Sequence, residues 1–179
     1  IDLIGRDPNA YRVEALTAYS NVDAVAEQAH RFGARFVAIG DPDKYGELKS
    51  AMSGTDSEIA AGPDAIVEAA AREVDWVMAG IVGAAGLEPT LEAVRQGTVV
   101  ALANKECLVC AGDVFLKETS RSGATLLPVD SEHNAIFQVF ESDHRETIEK
   151  IILTASGGPF RTRSLEQMRS VTPAEAVAH

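Results

Sequence analysis

Asp130 and Glu132 stand two positions apart in the run Pro128-Val129-Asp130-Ser131-Glu132-His133-Asn134, at the end of an apolar stretch. In extended backbone, residues i and i+2 point to the same side. Two carboxylates held this way repel each other, and a divalent cation relieves the repulsion. Mg²⁺ or Mn²⁺ suits such a pair, because each takes a few carboxylates and fills its remaining positions with water and substrate oxygens. The same residues also fit an Asp N-cap followed by a solvated Glu in the first helical turn, where negative charge is favoured. Both readings stay open. His133 reads as a support for that site or as a packing residue, since no His-x-x-x-His partner exists.

Three other segments could meet a ligand. Ala103-Asn104-Lys105-Glu106 follows an apolar run, and in open α/β sheets ligands sit beyond the carboxyl ends of strands. A capped helix start with a surface Lys is the plainer alternative. Gly80-Ile81-Val82-Gly83-Ala84-Ala85-Gly86 would let a ligand approach the backbone closely, although tight strand–helix packing needs the same small residues. No Gly-x-Gly-x-x-Gly fingerprint occurs. Ser156 with Gly157 and Gly158 can offer a hydroxyl and backbone amides to an oxyanion, or form an ordinary turn. Cys107 and Cys110 match Cys-x-x-Cys, but Leu and Val fill the middle and the motif lies within a helical pattern, so both read as buried helix cysteines. His30 and His144 read as solvent-side residues.

The elements that must position these residues alternate along the chain. Strand-like runs at 12–18, 36–39, 58–61, 76–82 and 98–103 are separated by helical patterns. Asn21 can cap a helix with Val22, Val25, Ala26 and Ala29 on its apolar face. Asp41-Pro42 opens another, with Pro at its first position. Further helices are expected over 63–72 and over 87–96, the latter closed by Gly97. This order predicts parallel β-α-β units, an α/β class with helices covering a mostly parallel sheet. The continuous apolar run from Trp76 to Val82 suits a strand buried on both faces. From Lys105 the texture changes. A long helix runs to about Ser120, a second spans 131–140, and Ile151-Ile152-Leu153-Thr154 reads as a strand. A domain boundary is placed near Lys105, giving parts 1–104 and 105–179.

The chain has 179 residues and a formal net charge of -11, with Asp and Glu at 27 against Lys and Arg at 16. Such an acidic surface repels phosphate backbones and anionic lipid, which argues against nucleic-acid and membrane-surface roles. No apolar run approaches the about 18 residues of a transmembrane helix. The two cysteines build no disulfide framework, which fits a reducing cytoplasm. The chain opens on what reads as a helix end and a turn at Asp7-Pro8-Asn9, so the start of a domain is expected to be missing.

Taken in order, the Gly80–Gly86 segment, Leu102-Ala103-Asn104-Lys105-Glu106, the block from Leu127 to Gln138, and Ser156-Gly157-Gly158-Pro159-Phe160 resemble the 1-deoxy-D-xylulose 5-phosphate reductoisomerases. The block from Asp130 to Gln138 is the most specific part, and the resemblance covers essentially the whole chain. It implies a Rossmann-like NADPH domain over 1–104, lacking its first strand and Gly-rich loop, followed by part of an α+β catalytic domain over 105–179. It implies NADPH and Mg²⁺ or Mn²⁺ as cofactors, a phosphorylated sugar as substrate, a homodimer, and a role in non-mevalonate isoprenoid precursor synthesis. Asp130 and Glu132 would hold the metal. Lys105, Ser131, Glu132, Ser156 and His179 would meet the substrate, with Lys105 and Glu132 catalytic. Tyr19, Ser20, Asn21, Asn104 and Glu106 would line the cofactor site.

The departures from that family set expectations of their own. Its Gly-Ser-Thr-Gly-Ser-Ile-Gly phosphate loop, its mobile loop and a third metal carboxylate are not found, so this span alone is expected to be an inactive fragment with partial sites. Tyr19-Ser20-Asn21 stands where many members have Gly-Lys-Asn, and Cys107 replaces a common Ser.

Overall fold

The structure, a computed structural model, describes residues 1–154 and 158–178. It divides into two compact units, Ile1–Leu127 and Pro128–His179.

The first unit alternates strands and helices as its periodicity requires. After a short α1 (Asp2–Arg6), β1 (Ala15–Ala18) leads into α2 (Val22–Phe32). Asn21 caps α2 by accepting a hydrogen bond from the Ala24 N–H at 3.1 Å, and Val22, Val25, Ala26 and Ala29 form its buried stripe. Then come β2 (Phe36–Ile39), a 3₁₀ turn at Pro42–Lys44, α3 (Tyr45–Ala51), β3 (Glu58–Ala61) and α4 (Pro63–Ala70). β2 lies between β1 and β3, paired in parallel to both. Its alternation sorts the core. Val37 and Ile39 pack with Val25, Ala29 and Leu48 on one face, while Phe36 and Ala38 pack with Ala65 on the other. Arg72 ties the amino ends of these strands together. Its guanidinium lies 4.0 Å from the Phe36 ring centroid, donates to Glu14 at 3.3 Å, and bonds Glu58.

A second three-stranded sheet holds β4 (Trp76–Ala79), β5 (Val99–Leu102) and β6 (Thr125–Pro128) in that order, with β4 and β5 parallel. Between them run α5 (Leu87–Arg95) and α6 (Glu106–Ser122). The six strands thus pair as two parallel-type triplets, an arrangement the strand–helix alternation alone does not specify.

Three expectations are corrected here. β4 is not buried on both faces. It is an edge strand, and Trp76 (50 %) and Met78 (51 %) stand half exposed while Ala79 faces the core. Cys107 is buried, but Cys110 is exposed. Residues i and i+3 of a regular helix share a face, so the spacing alone does not separate the two, but α6 is kinked at Ala111 (φ -140°, ψ 27°) directly after Cys110. Burial raises the Cys107 thiol pKa above its usual value. Residues 151–154 form no strand and are exposed, since none of the described residues supplies a ladder partner.

The compact units divide after Leu127, because α6 packs back on α5, with Cys107 and Phe115 in the core of the second sheet. A chemical division at Lys105 is a separate matter from this packing.

The second unit holds α7 (Ser131–Phe137), a kinked 3₁₀ stretch at Ser142–Thr147, a 3₁₀ turn at Gly158–Phe160, α8 (Leu165–Met168) and α9 (Pro173–Ala176). None of its described residues is buried. Its order comes from local bonds. Ser164 with Gln167 and Thr172 with Glu175 form capping boxes on α8 and α9. Among the described residues, no helix is long and apolar enough to cross a membrane.

Candidate functional site

At the carboxyl ends of β4 and β5, Asn104 is 3 % exposed and its side chain is fully engaged within the fold. Its amide donates to the Ile81 carbonyl and, at 2.9 Å, to the Gly83 carbonyl, while its oxygen accepts from the Cys107 N–H at 3.0 Å. One side chain therefore fixes the loop after β4 and starts α6. Gly86 completes this joint, since a Cβ there would lie 2.5 Å from the Asn104 amide nitrogen and 2.6 Å from the Ile81 oxygen. Gly83 needs its positive φ of 75°, and a Cβ at Gly80 or Gly83 would meet nothing within 4 Å. At Gly80 and Gly83 the backbone is thus open and carries no side chain, which leaves room for a ligand to approach it closely. Lys105 is exposed and Glu106 half-buried beside it. Neither has an ion pair among the described residues.

Beyond β1 and β2 the chain offers a similar edge. Tyr19 and Ser20 are exposed and Asn21 caps α2. The Gly40 N–H donates to the Ala18 carbonyl and the Asp41 N–H to the Tyr19 carbonyl, each at 2.8 Å.

Where the second unit begins, the chain leaves β6 and enters α7 through a corner that Asp130 closes. Asp130 has extended backbone (φ -69°, ψ 152°) and is the N-cap, accepting from the His133 N–H at 2.8 Å. The same oxygen lies 2.7 Å from His133 Nδ1. The His133 backbone N–H, more than its ring, holds the Asp130 carboxyl below the usual carboxylate range, against a smaller opposing effect of burial. Asn134 ties the helix back to β6 by donating to the Pro128 carbonyl at 2.7 Å. Ser131 is exposed and Glu132 half-buried in the first turn.

The two acids are therefore presented by a strand-to-helix corner. The extended alternation from which their shared side was argued does not continue past Asp130. Capping and metal binding are compatible, because the cap uses one Asp130 oxygen and leaves the other, with Glu132, for a cation. This donor chemistry fits Mg²⁺ or Mn²⁺. Among the described residues no group of three or more His, Cys, Asp or Glu side chains gathers as a metal site. Ser156 and His179 lie outside the described residues. The contact of His133 with Asp130 is legible only as a spacing of three on a helix. The partners of Asn104 are backbone carbonyls far back in the sequence, which no motif shows.

The sequence pattern of 1-deoxy-D-xylulose 5-phosphate reductoisomerase matches residues 1–112, and that of the C-terminal domain of the same enzyme matches residues 126–179. A Rhodospirillum centenum protein named 1-deoxy-D-xylulose 5-phosphate reductoisomerase is 57 % identical over 179 residues, which is 100 % of this chain and 44 % of that protein. The same-named Nitrobacter hamburgensis protein is 53 % identical with the same coverage of both, 100 % and 44 %. The Zymomonas mobilis enzyme in complex with NADPH superposes with a TM-score of 0.87 at 54 % identity, over 99 % of this chain and 47 % of that one. A reductoisomerase crystal structure with NADPH, fosmidomycin and magnesium gives 0.81 at 42 % identity, over 98 % and 46 %. The chain thus spans less than half the length of the relatives it matches.

Proposed function

This chain belongs to the 1-deoxy-D-xylulose 5-phosphate reductoisomerase family, and on that footing we propose that the protein carrying it converts 1-deoxy-D-xylulose 5-phosphate to 2-C-methyl-D-erythritol 4-phosphate with NADPH and Mg²⁺ or Mn²⁺. The observation that carries the reading is the match of both family patterns across the chain, with Asp130 and Glu132 at the β6–α7 corner. The reaction breaks and remakes a carbon–carbon bond before reduction. A bound divalent cation supplies Lewis acidity and a template for the substrate's carbonyl and hydroxyl oxygens, and bound NADPH supplies the hydride.

The chain's own residues do the holding and orienting. Asp130 and Glu132 hold the cation. His133 keeps Asp130 ionised and fixed in direction, the part an outer hydrogen-bond partner plays at metal sites. Lys105 places its ammonium against the substrate, with Ser131 and Glu132 as polar contacts, and Ser156 and His179 complete that set. Residues 1–104 carry the cofactor part and 105–179 the catalytic part. Tyr19, Ser20 and Asn21 meet the adenosine end, and Glu106 lines the NADPH site. Asn104 acts as a positioning residue, since its side chain is already bonded to Ile81, Gly83 and Cys107. We assign the protein to the cytoplasm and to a homodimer on the same footing.

The test is loss of NADPH absorbance when 1-deoxy-D-xylulose 5-phosphate and Mn²⁺ are added to the full-length protein. Chelator-sensitive oxidation is expected. Oxidation that survives the chelator, or none at all, would overturn the reading. A second reading concerns residues 1–179 by themselves. With two carboxylates at the metal corner and no third gathered there among the described residues, this span is expected to give no turnover alone, and steady turnover by a sample of that mass would refute it.

A further inference from the structure

Cys107 is a buried nucleophilic group that the proposed chemistry does not use. Among the described residues two polar side chains are buried, Thr90 (4 %) and Asn104, and both meet Cys107. The Asn104 side-chain oxygen accepts from the Cys107 N–H at 3.0 Å. Burial raises the thiol pKa, and a hydrogen bond donated by the Thr90 side chain partly offsets that rise. The Cys107 sulfur also lies 3.9 Å from the Gly86 carbonyl oxygen, within reach of a weak S–H donor. The side chain belongs to the core of the second sheet with Val94, Leu102 and Phe115. Burying polar groups is costly unless they are paired, and a paired set holds one geometry.

That geometry surrounds Lys105. Lys105 is the residue at which α6 begins, with helical backbone (φ -67°, ψ -25°), and its carbonyl accepts from the Leu108 and Val109 N–H groups at 3.1 and 2.9 Å. Its side chain is exposed and has no ion pair among the described residues, so its own contacts do not aim it. The backbone on either side does. Asn104, just before it, is bonded to the Ile81 and Gly83 carbonyls. Cys107, two residues after it, faces Gly86 and Thr90 at the amino end of α5. The starts of α5 and α6 are thus joined directly behind Lys105. An ammonium on a flexible four-carbon stem magnifies any tilt of the backbone that carries it.

We propose that Cys107 and Thr90 are positioning residues for the substrate, a buried thiol–hydroxyl latch that holds the start of α6 against the start of α5 and so aims the Lys105 ammonium. The proposal rests on the placement of Lys105 against the phosphorylated sugar. A Ser hydroxyl at 107 can serve the same latch, and an Ala methyl cannot.

The test is calorimetric titration of the full-length protein with 1-deoxy-D-xylulose 5-phosphate in the presence of Mn²⁺ and NADP⁺, which has no hydride to give, so that binding is read without turnover. Lys105→Ala is expected to weaken binding by at least about tenfold. Cys107→Ala and Thr90→Val are each expected to weaken it by about three- to tenfold, and Cys107→Ser by less than about twofold. The double variant Lys105→Ala with Cys107→Ala is expected to bind within about twofold of Lys105→Ala alone, because the latch acts only through that ammonium. Unchanged binding in Cys107→Ala, losses that add in the double variant, or Cys107→Ser as weak as Cys107→Ala overturns the latch. If Cys107→Ala does not fold, Thr90→Val alone and combined with Lys105→Ala decides the same question by the same outcomes. Unchanged binding in Lys105→Ala, or no binding by the wild type, overturns the reading of Lys105 itself, and the latch with it.

Discussion

The two compact units are held together by different means. In Ile1–Leu127, strands and helices close over three apolar clusters, and β2 is buried on both faces. In Pro128–His179 every described residue keeps substantial exposure, and order comes from caps and short side-chain bonds. The proposed cofactor residues lie mainly on the first kind of structure and the proposed metal acids on the second. A buried core fixes strand ends rigidly. A corner fixed by one cap and one His–Asp contact has less to hold it, and a cation bridging its acids would add to its stability by binding only the ordered form.

The comparison is broken most easily with phenylalanine. Phe36→Ala opens a cavity in the first unit and should cost roughly 3–5 kcal/mol, whereas Phe137→Ala, at a residue already 52 % exposed, should fall within about 0.5 kcal/mol. Denaturant unfolding of both variants checks this, and equal losses would end the distinction. Asn104→Ala should come next, at roughly 1–3 kcal/mol, because it strands the Ile81 and Gly83 carbonyls and the Cys107 N–H. Amide exchange should speed at Cys107 and its neighbours before the rest of the unit. If that exchange is unchanged, Asn104 does not anchor the loop.

Smaller effects belong to the second unit. Asp130→Ala removes a cap and should weaken α7 by about 1 kcal/mol, while Asp130→Asn keeps the cap and should restore most of it. Helical chemical shifts over 131–137 read the difference, and equal shifts in the two variants would mean that capping is not what holds the corner. The smallest effect is on pH. Glu175 accepts from the Thr172 N–H at 2.9 Å, its leading stabilisation, and pairs with Arg163 at 2.8 Å, which lowers its pKa to about 2. Its folded value lies below the unfolded value of about 4.3. Its contribution is therefore complete above about pH 4.3 and disappears as pH falls towards 2. An NMR titration of its carboxyl midpoint near 4.3 would show that the box does not form.

Much of the first unit was legible because one set of residues serves several rules at once. Asn21 and the spacing of Val22, Val25, Ala26 and Ala29 both specify α2, and Phe36–Ile39 can hardly be anything but a buried strand. Legibility failed where a pattern depends on what lies opposite. An apolar run such as Trp76–Ala79 reads the same whether or not its second face is covered. Ile151–Leu153 has strand residues but no ladder partner among the described ones. The family was readable from ordered motifs. The geometry at Asp130 was not, since an N-cap and a metal ligand use the same residue type, and here the cap is formed. The internal bonds of Asn104 were hidden because its partners are backbone atoms more than 20 residues earlier, at 23 and 21 positions for Ile81 and Gly83.

The most direct test of the proposed chemistry is titration of the full-length protein with Mn²⁺, followed by the electron paramagnetic resonance of the free ion. Wild type should bind Mn²⁺ at one site, Asp130→Asn and Glu132→Gln should each weaken it by more than about tenfold, and His133→Ala by about tenfold. Unchanged Mn²⁺ affinity in both Asp130→Asn and Glu132→Gln would contradict the account and leave the corner as a helix cap alone.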